Sequence, residues 1–478
     1  MSHVNHIDEV KANILSFMKI KIFIKIFLAV FCGAIIASIA LPVACYAAVY
    51  YVATTGNDSN PGTQSQPWLT IQHAADTVKA GDTVIIEPGH YNERVKLPNG
   101  LSGTAQGKIT FKSAVRRSAY MNGFKSDHNN YIRIEGLSIT YTGGSWLGGG
   151  IWLTGNHWEI VDNYFYDTTV AAILPTWESG VSTDYAYIAN NRFYGCGQGM
   201  VISGTGWVVE NNDMEHLVYR GLVDADYIRF FGQDHIIQNN YLHGTLQSEI
   251  GTSHTDAFQS FNNNGATAKN IIIQNNRVEG FVAEVFMLEG GNGSHENITI
   301  RNNVFTNLPR WGICACGINN LNVYNNVFAY NRGTAIGFNG SKTDSNPTTG
   351  EIKNNIFYNV NATYWSTDNA TLDASNNILF NTADFNVDFP YSPSPIHGND
   401  ILKNPMFVDP APINGDFHLL PDSPAIDHGV TITSFSKDKD GNTRPAGAAW
   451  DIGAYEYTGS SSSNVPPSAP GNLKVVVQ

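Results

Sequence analysis

The chain has 478 residues, 45 of them Gly, and only 14% are charged, which suits a turn-rich β protein and argues against a helical bundle. Its formal net charge of −13 argues against nucleic acid as a partner. The length allows one large domain or two ordinary ones.

Near the N-terminus, residues 20–43 form an apolar run with Lys11, Lys19, Lys21 and Lys25 at its start. Counted from Met18, with small residues around Ala44 to Ala48, this is the layout of a secretory signal peptide cleaved near Ala47. The run is also long enough to span a bilayer, so a retained anchor is the alternative. Cleavage removes four Lys and two acids and leaves a net charge of −15. The expected product is a secreted monomer with no membrane segment. Cys32 and Cys45 leave with the signal, and Cys196, Cys314 and Cys316 read as small core fillers.

A phrase then recurs nine times: an apolar residue, two others, an Asn pair or Asp-Asn, one more residue and an apolar one. It ends each time on a second Asn, at Asn163, Asn191, Asn212, Asn240, Asn276, Asn303, Asn326, Asn355 and Asn377. The intervals run from 21 to 36 residues, with no amphipathic helix between copies. A unit this short cannot bury its apolar face alone, so neighbours must stack. The sequence here resembles the right-handed parallel β-helix, or pectin-lyase-like, superfamily in its secreted bacterial form. Two other stretches carry the resemblance: Pro67 to Val95 at the entry and Gly415 to Tyr457 at the exit. It implies an all-β right-handed parallel β-helix with a short N-terminal helix, facing inward through Ile71, Ala74, Ala75 and Val78, that caps the open end. The expected organisation is a signal peptide at 1–47, a cap and first coils at 48–125, coils at 126–390 and a C-terminal β segment at 391–457. A Ser/Pro linker at 458–478 ends like the first strand of a fibronectin type III domain. Asp438 to Asn442 has the flavour of a calcium loop but lacks its closing carboxylate, and reads as a structural turn.

The longest interval carries an extra loop, Leu242 to Ser253, immediately before His254-Thr-Asp256-Ala-Phe258-Gln259. About twenty residues before several of the Asn pairs lies a second phrase, in which a variable position precedes a small and a large apolar residue. Aligned this way, Ala171, Gln198, Arg220, Asp256, Glu284, Trp311 and Thr334 form a row. Its polar members either line a solvent-facing cleft or make a buried ion ladder. In the cleft reading, Asp256 and Glu284 sit one rung apart, roughly 4.8 Å, close to the ~5–5.5 Å carboxylate spacing of retaining glycosidases. They would then act as acid and as base or nucleophile, with His254 orienting or relaying protons and Arg220 on the adjoining coil. Trp311, Gln259, Glu249 and Gln198 are candidate substrate contacts. β-Elimination on a uronate would instead use His254 as base, with Arg220 or a cation neutralising the substrate carboxylate. No metal or cofactor is required, although Asp256, Glu284 and Glu289 suit optional Ca²⁺ ligation. The functions in play are hydrolysis of a polysaccharide, elimination on one, and a non-catalytic binding rod.

Overall fold

The computed structural model describes residues 47–143, 149–221, 224–262, 265–280, 284–291, 295–338, 347–366, 371–382 and 399–459. All of the expected signal segment except Ala47 lies outside these residues, as does the Ser/Pro segment beyond 459. The described chain is an all-β, right-handed-type parallel solenoid. Each coil visits three sheets in turn, which we number in that order. Sheet 1 runs from Val49–Val52 to Thr371–Ser375, sheet 2 from Gly89–Tyr91 to Ile378–Phe380, and sheet 3 from Val95–Lys96 to Ala362–Ser366. Every pairing within them is parallel and joins a strand to its counterpart one coil away.

The Asn pairs make the corner between sheets 1 and 2, and the two Asn do different work. The first adopts left-handed backbone, as at Asn190 (φ 58°), Asn239 (φ 55°) and Asn275 (φ 59°); Asn enters this region more readily than most side chains. The second is buried and bonded to its equivalents above and below. Asn276 donates its backbone N–H to Asn303 Oδ1 (2.8 Å) and its Nδ2 to Ile237 O (2.9 Å) and Asn303 Oδ1 (3.1 Å). Its own Oδ1 accepts from Asn240 N (2.9 Å) and Nδ2 (3.0 Å). The ladder runs from Asn163 to Asn377, where Asp400 Oδ1 accepts the last N–H at 2.8 Å.

Left-handed corners also flank the Asn corner at five-residue steps. One coil has His157, Asp162 and Asp167, another Asn270, Asn275 and Gly280, and the next Asn297, Asn302 and Asn307. In the coils that carry the Asn ladder, sheets 1 and 2 therefore have a constant stride, and the unequal repeat length falls on the sheet 3 side. Phe258 and Phe286, stacked at 4.7 Å between ring centres, belong to the inward column of sheet 3.

The expected helix is present as Ile71–Thr77, N-capped by the Thr70 hydroxyl and burying Ile71, Ala74 and Ala75. The C-terminal segment lies on the outer face of sheet 2. There Val304, Val327, Ile356 and Ile378 pack with Phe407, Phe417, Leu419, Ile452 and Tyr455. Its wholly buried Arg444–Glu456 pair (2.7 Å) also reaches Asn302 Oδ1, and Asn325 Nδ2 bonds Asp451 O (3.0 Å). Asp438 forms the structural turn read from the sequence: its carboxylate accepts the N–H groups of Asp440, Asn442 and Glu456. The cysteines correct the sequence reading in part. Cys196 is buried, but Cys314 and Cys316 alternate outward from sheet 3 and are half-exposed. Among the described residues no helix is long and apolar enough to cross a membrane.

One buried titratable group gives a pH prediction. His235 is fully buried, its Nδ1 accepts from Trp207 N (3.1 Å) and its Nε2 faces Phe231 O (2.7 Å). Burial pushes its pKa down to about 4 from the ordinary 6.5, so the folded chain resists a proton that the unfolded chain accepts. This contribution is complete above pH 6.5 and is lost as pH falls toward 4. Relative to His235→Gln, the wild type is expected to lose roughly 3 kcal/mol of stability across that window, measured by urea unfolding at each pH.

Candidate active site

Strand register settles which residues share a row. Ile228, Phe258, Phe286 and Ile313 are successive partners on sheet 3, so Asp226, Asp256, Glu284 and Trp311, each two residues earlier, lie in line. Gln198 joins them, because Met200 pairs with Ile228. Arg220 does not. It is exposed, bonds Asp167 Oδ1 (2.8 Å) and Gly195 O (3.1 Å), and its place in the row belongs to Asp226. Counting a constant distance back from the Asn failed because the sheet 3 side is the one side without a constant stride. Arg220→Ala is accordingly expected to leave any activity within about twofold of wild type, since exposed pairs contribute little.

The strand proper begins at Phe258, so Asp256 lies in the irregular backbone before it and escapes the inward alternation. Its carboxylate belongs to the outer face, where Gln259 Nε2 donates to Oδ2 at 3.1 Å. It is nonetheless fully buried rather than open to a cleft, which corrects the expectation of direct exposure. The imidazole of His254, 35% exposed, lies against it. Its Nδ1 is 3.2 Å from Asp256 Oδ2 and its Nε2 is 3.3 Å from Glu284 Oε2. One atom from each of the three groups lies within 4.8 Å of the others. Arg310 Nη1 stands 3.9 Å from Glu284 Oε1.

These contacts separate the three titrations. Hydrogen bonds to Asp256 and Glu284 hold His254 protonated, up to about 11 against the opposing effect of burial. Burial drives Asp256 upward, with the like charge of Asp226 adding to it and His254 opposing. Burial also works to raise Glu284, but its hydrogen bond to His254 and the nearby positive charges bring it below the ordinary carboxylate value. The two carboxylates are thus driven in opposite directions, Asp256 toward holding a proton and Glu284 toward ionisation, with the His254 imidazole in contact with both.

The remaining predicted contacts divide. Gln259 is in the site, and its Oε1 has no partner. Trp311 is half-buried beside Glu284; a Cβ on Gly337 would come within 2.2 Å of its ring, so the indole lies over the outer face of the next coil. Gln198 is completely buried, as Asp256 is, and among the described residues neither its Nε2 nor its Oε1 has a hydrogen-bond partner. Glu249 belongs to the short helix Gln247–Ile250 and is spent on His216 Nδ1 (2.7 Å) and the Leu246 N–H (2.7 Å), holding the long loop rather than offering a contact. Glu289 is exposed at the far end of its strand and stands outside the cluster that His254, Asp256 and Glu284 form among the described residues. Those three could each turn one atom to a cation, although both His254 ring nitrogens already face carboxylates. Sequence reasoning missed Asp224, Asp226 and Arg229. Asp226-Tyr-Ile-Arg229 repeats the pattern of Asp256-Ala-Phe-Gln259, but Tyr227 broke the requirement for a small second residue.

Comparison with known proteins agrees with this architecture. Residues 54–98 match a family described as a protein of unknown function, DUF1565. The uncharacterized protein YwoF of Bacillus subtilis (strain 168) is 36% identical over 73 residues, which is 15% of each chain, so the match spans only a small part of that relative. Among solved structures, the complex of XylC with xylose aligns over 85% of this chain and 98% of that one, with a TM-score of 0.50 and 12% identity. The fold is the pectin-lyase-like parallel β-helix. The β-helix also aligns with pectate lyase Pel9A (TM-score 0.48, 18% identity, 86% of this chain and 96% of that one). A third similar structure is the GH136 lacto-N-biosidase from Eubacterium ramulus (0.47, 11%, 74% and 68%). At these identities the likeness is one of fold.

Proposed function

We propose that this β-helix is a secreted carbohydrate-active enzyme that cleaves a polysaccharide, by hydrolysis, with Asp256 and Glu284 as its working carboxylates. The observation that carries the reading is the His254 imidazole bridging two carboxylates whose proton affinities are driven apart, the arrangement that assigns acid and base roles at neutral pH. Asp256 would protonate the leaving glycosidic oxygen while Glu284 attacks the anomeric carbon or takes a proton from the attacking water. In the first case water then cleaves the glycosyl–Glu284 ester, its hydroxyl joining the sugar and its proton passing to Asp256. In the second the attacking water supplies the hydroxyl, Glu284 gives the proton it took to solvent and Asp256 regains one from solvent. The short carboxylate separation is nearer the ~5–5.5 Å of double displacement than the wider inverting geometry. Trp311, lying over the outer face one coil on, offers a ring for a sugar to stack on.

A protonated His254 is not available as the base of an elimination, and Arg220 stands elsewhere; both favour hydrolysis over a lyase reaction. Ca²⁺ would be an optional occupant of the cluster rather than a requirement. The complete burial of Asp256 favours a second reading, a non-catalytic glycan-binding rod. We also take the helix Ile71–Thr77 as cover for the first coil and residues 1–47 as the export signal. A panel of polysaccharides tests the proposal. New reducing ends alone support hydrolysis, ultraviolet-absorbing unsaturated ends replace it with elimination, and binding without product leaves the rod.

A further inference from the structure

We infer that Asp226 and Arg229 are positioning residues, a buried buttress that fixes Asp256 beneath His254. The inference rests on the proposed catalytic reading and adds to it two residues that touch no substrate. Asp226 is fully buried on the coil before Asp256, and its two oxygens have separate duties. Oδ1 accepts the backbone N–H of Asp256 itself at 3.0 Å. Oδ2 accepts from Arg229 Nη2 at 2.5 Å and Nε at 3.1 Å. Arg229 is held in turn by Asp224 Oδ2 (3.3 Å) and lies 5.3 Å from the centre of the Phe261 ring. Its charge is thus committed and its plane is fixed.

The backbones are tied on both sides of this contact. Ala225 N donates to His254 O (2.8 Å) and Tyr227 N to Asp256 O (3.0 Å), so the segment 224–227 holds 254–256 at three consecutive points. Among the described residues the side chain of Asp256 has only Gln259 and His254 as partners, and its Oδ1 has none. Its orientation depends on the backbone being held. A buried ion pair is weak as a source of stability, because desolvation cancels most of its attraction. Two acids and an arginine packed at this one place make better sense as precision than as glue. Misplacement of an acid by about 1 Å can cost on the order of 100-fold in rate.

The test uses the full mature protein and the variants Asp226→Asn, Arg229→Met and Arg229→Lys, on whichever polysaccharide the wild type cleaves. Asp226→Asn and Arg229→Met are expected to lower kcat by roughly 10- to 100-fold with KM changed less than about threefold, and Arg229→Lys to recover part of the loss. Wild-type kcat in folded Asp226→Asn and Arg229→Met protein overturns the inference, as does a loss carried by KM alone. Should Asp226→Asn fail to fold, the Met-against-Lys comparison at Arg229 decides. If the wild type cleaves no glycan, the catalytic reading falls separately, and crystal structures of wild type and Arg229→Met judge the buttress. A displaced Asp256 carboxyl sustains it, and an unmoved one overturns it.

Discussion

Asp256→Asn is expected to lower polysaccharide cleavage by about 100- to 10,000-fold, the range for removing a general acid, while moving the thermal midpoint by only a few degrees. The two halves of this result come from the same cause. Burial and the neighbouring Asp226 favour the protonated carboxyl, and an amide resembles a protonated carboxyl in size and charge but cannot give up a proton to a leaving oxygen. Glu284→Gln should be as inactive yet less stable, because it removes the charge that His254 pairs with. Cleavage rates and urea unfolding on the two variants check both statements. If Asp256 were instead an ionised rung of a structural ladder, Asp256→Asn would strand its partner and cost about 3–5 kcal/mol. A variant with that loss and unchanged specific activity would remove Asp256 from the chemistry.

Asn276→Ala is expected to produce the largest loss of stability, about 3–6 kcal/mol, since it leaves two N–H groups of Asn240 without their acceptor and deprives Ile237 O of the amide donor, each buried orphan costing about 1–3 kcal/mol, while Asn303 Oδ1 keeps the backbone N–H of residue 276. That is a large fraction of the about 5–15 kcal/mol that holds most domains together. Asn276→Asp keeps the acceptor and loses the amide donors, as Asp400 does at the end of the ladder, and should cost less. Asn275→Gly next door should cost under about 1 kcal/mol, because glycine enters the left-handed corner freely. Chemical unfolding of the three variants orders them; equal losses at 275 and 276 would contradict the division of labour between the two Asn.

The coil and its corner were legible because the second Asn is a chemical necessity repeated at every turn. The cover on sheet 2 was legible too, though unread. The residue after the pair is Tyr164, Arg192, Asp213, Tyr241 and Arg277 in the earlier coils, then Val304, Val327, Ile356 and Ile378 where the C-terminal segment lies on it. An outward position that turns apolar needs a partner, and four in succession name a docking face. The site was half legible. His254, Asp256 and Glu284 come together, because their coils happened to share a count to the Asn. Asp226 and Arg229 were lost because theirs does not, and no pattern of residue types announces a bond to a backbone N–H. The burial of Asp256 was invisible for a related reason: it depends on where the His254 ring lies, and side-chain direction before a strand is not set by alternation.

The five-residue stride bears on how such a chain can change over generations. Two sides of each coil in the Asn ladder have a length written into their corners, so a residue gained or lost there would throw an inward side chain out and break the amide ladder at once. The third side has no such ruler. Additions accumulate there at little cost to the rest, as the segment Gly244 to Ser253 after the sheet 2 strand Tyr241–His243 has done, and that is also the side that holds His254, Asp256 and Glu284. A lineage built this way can revise what it grips while leaving untouched the part that folds.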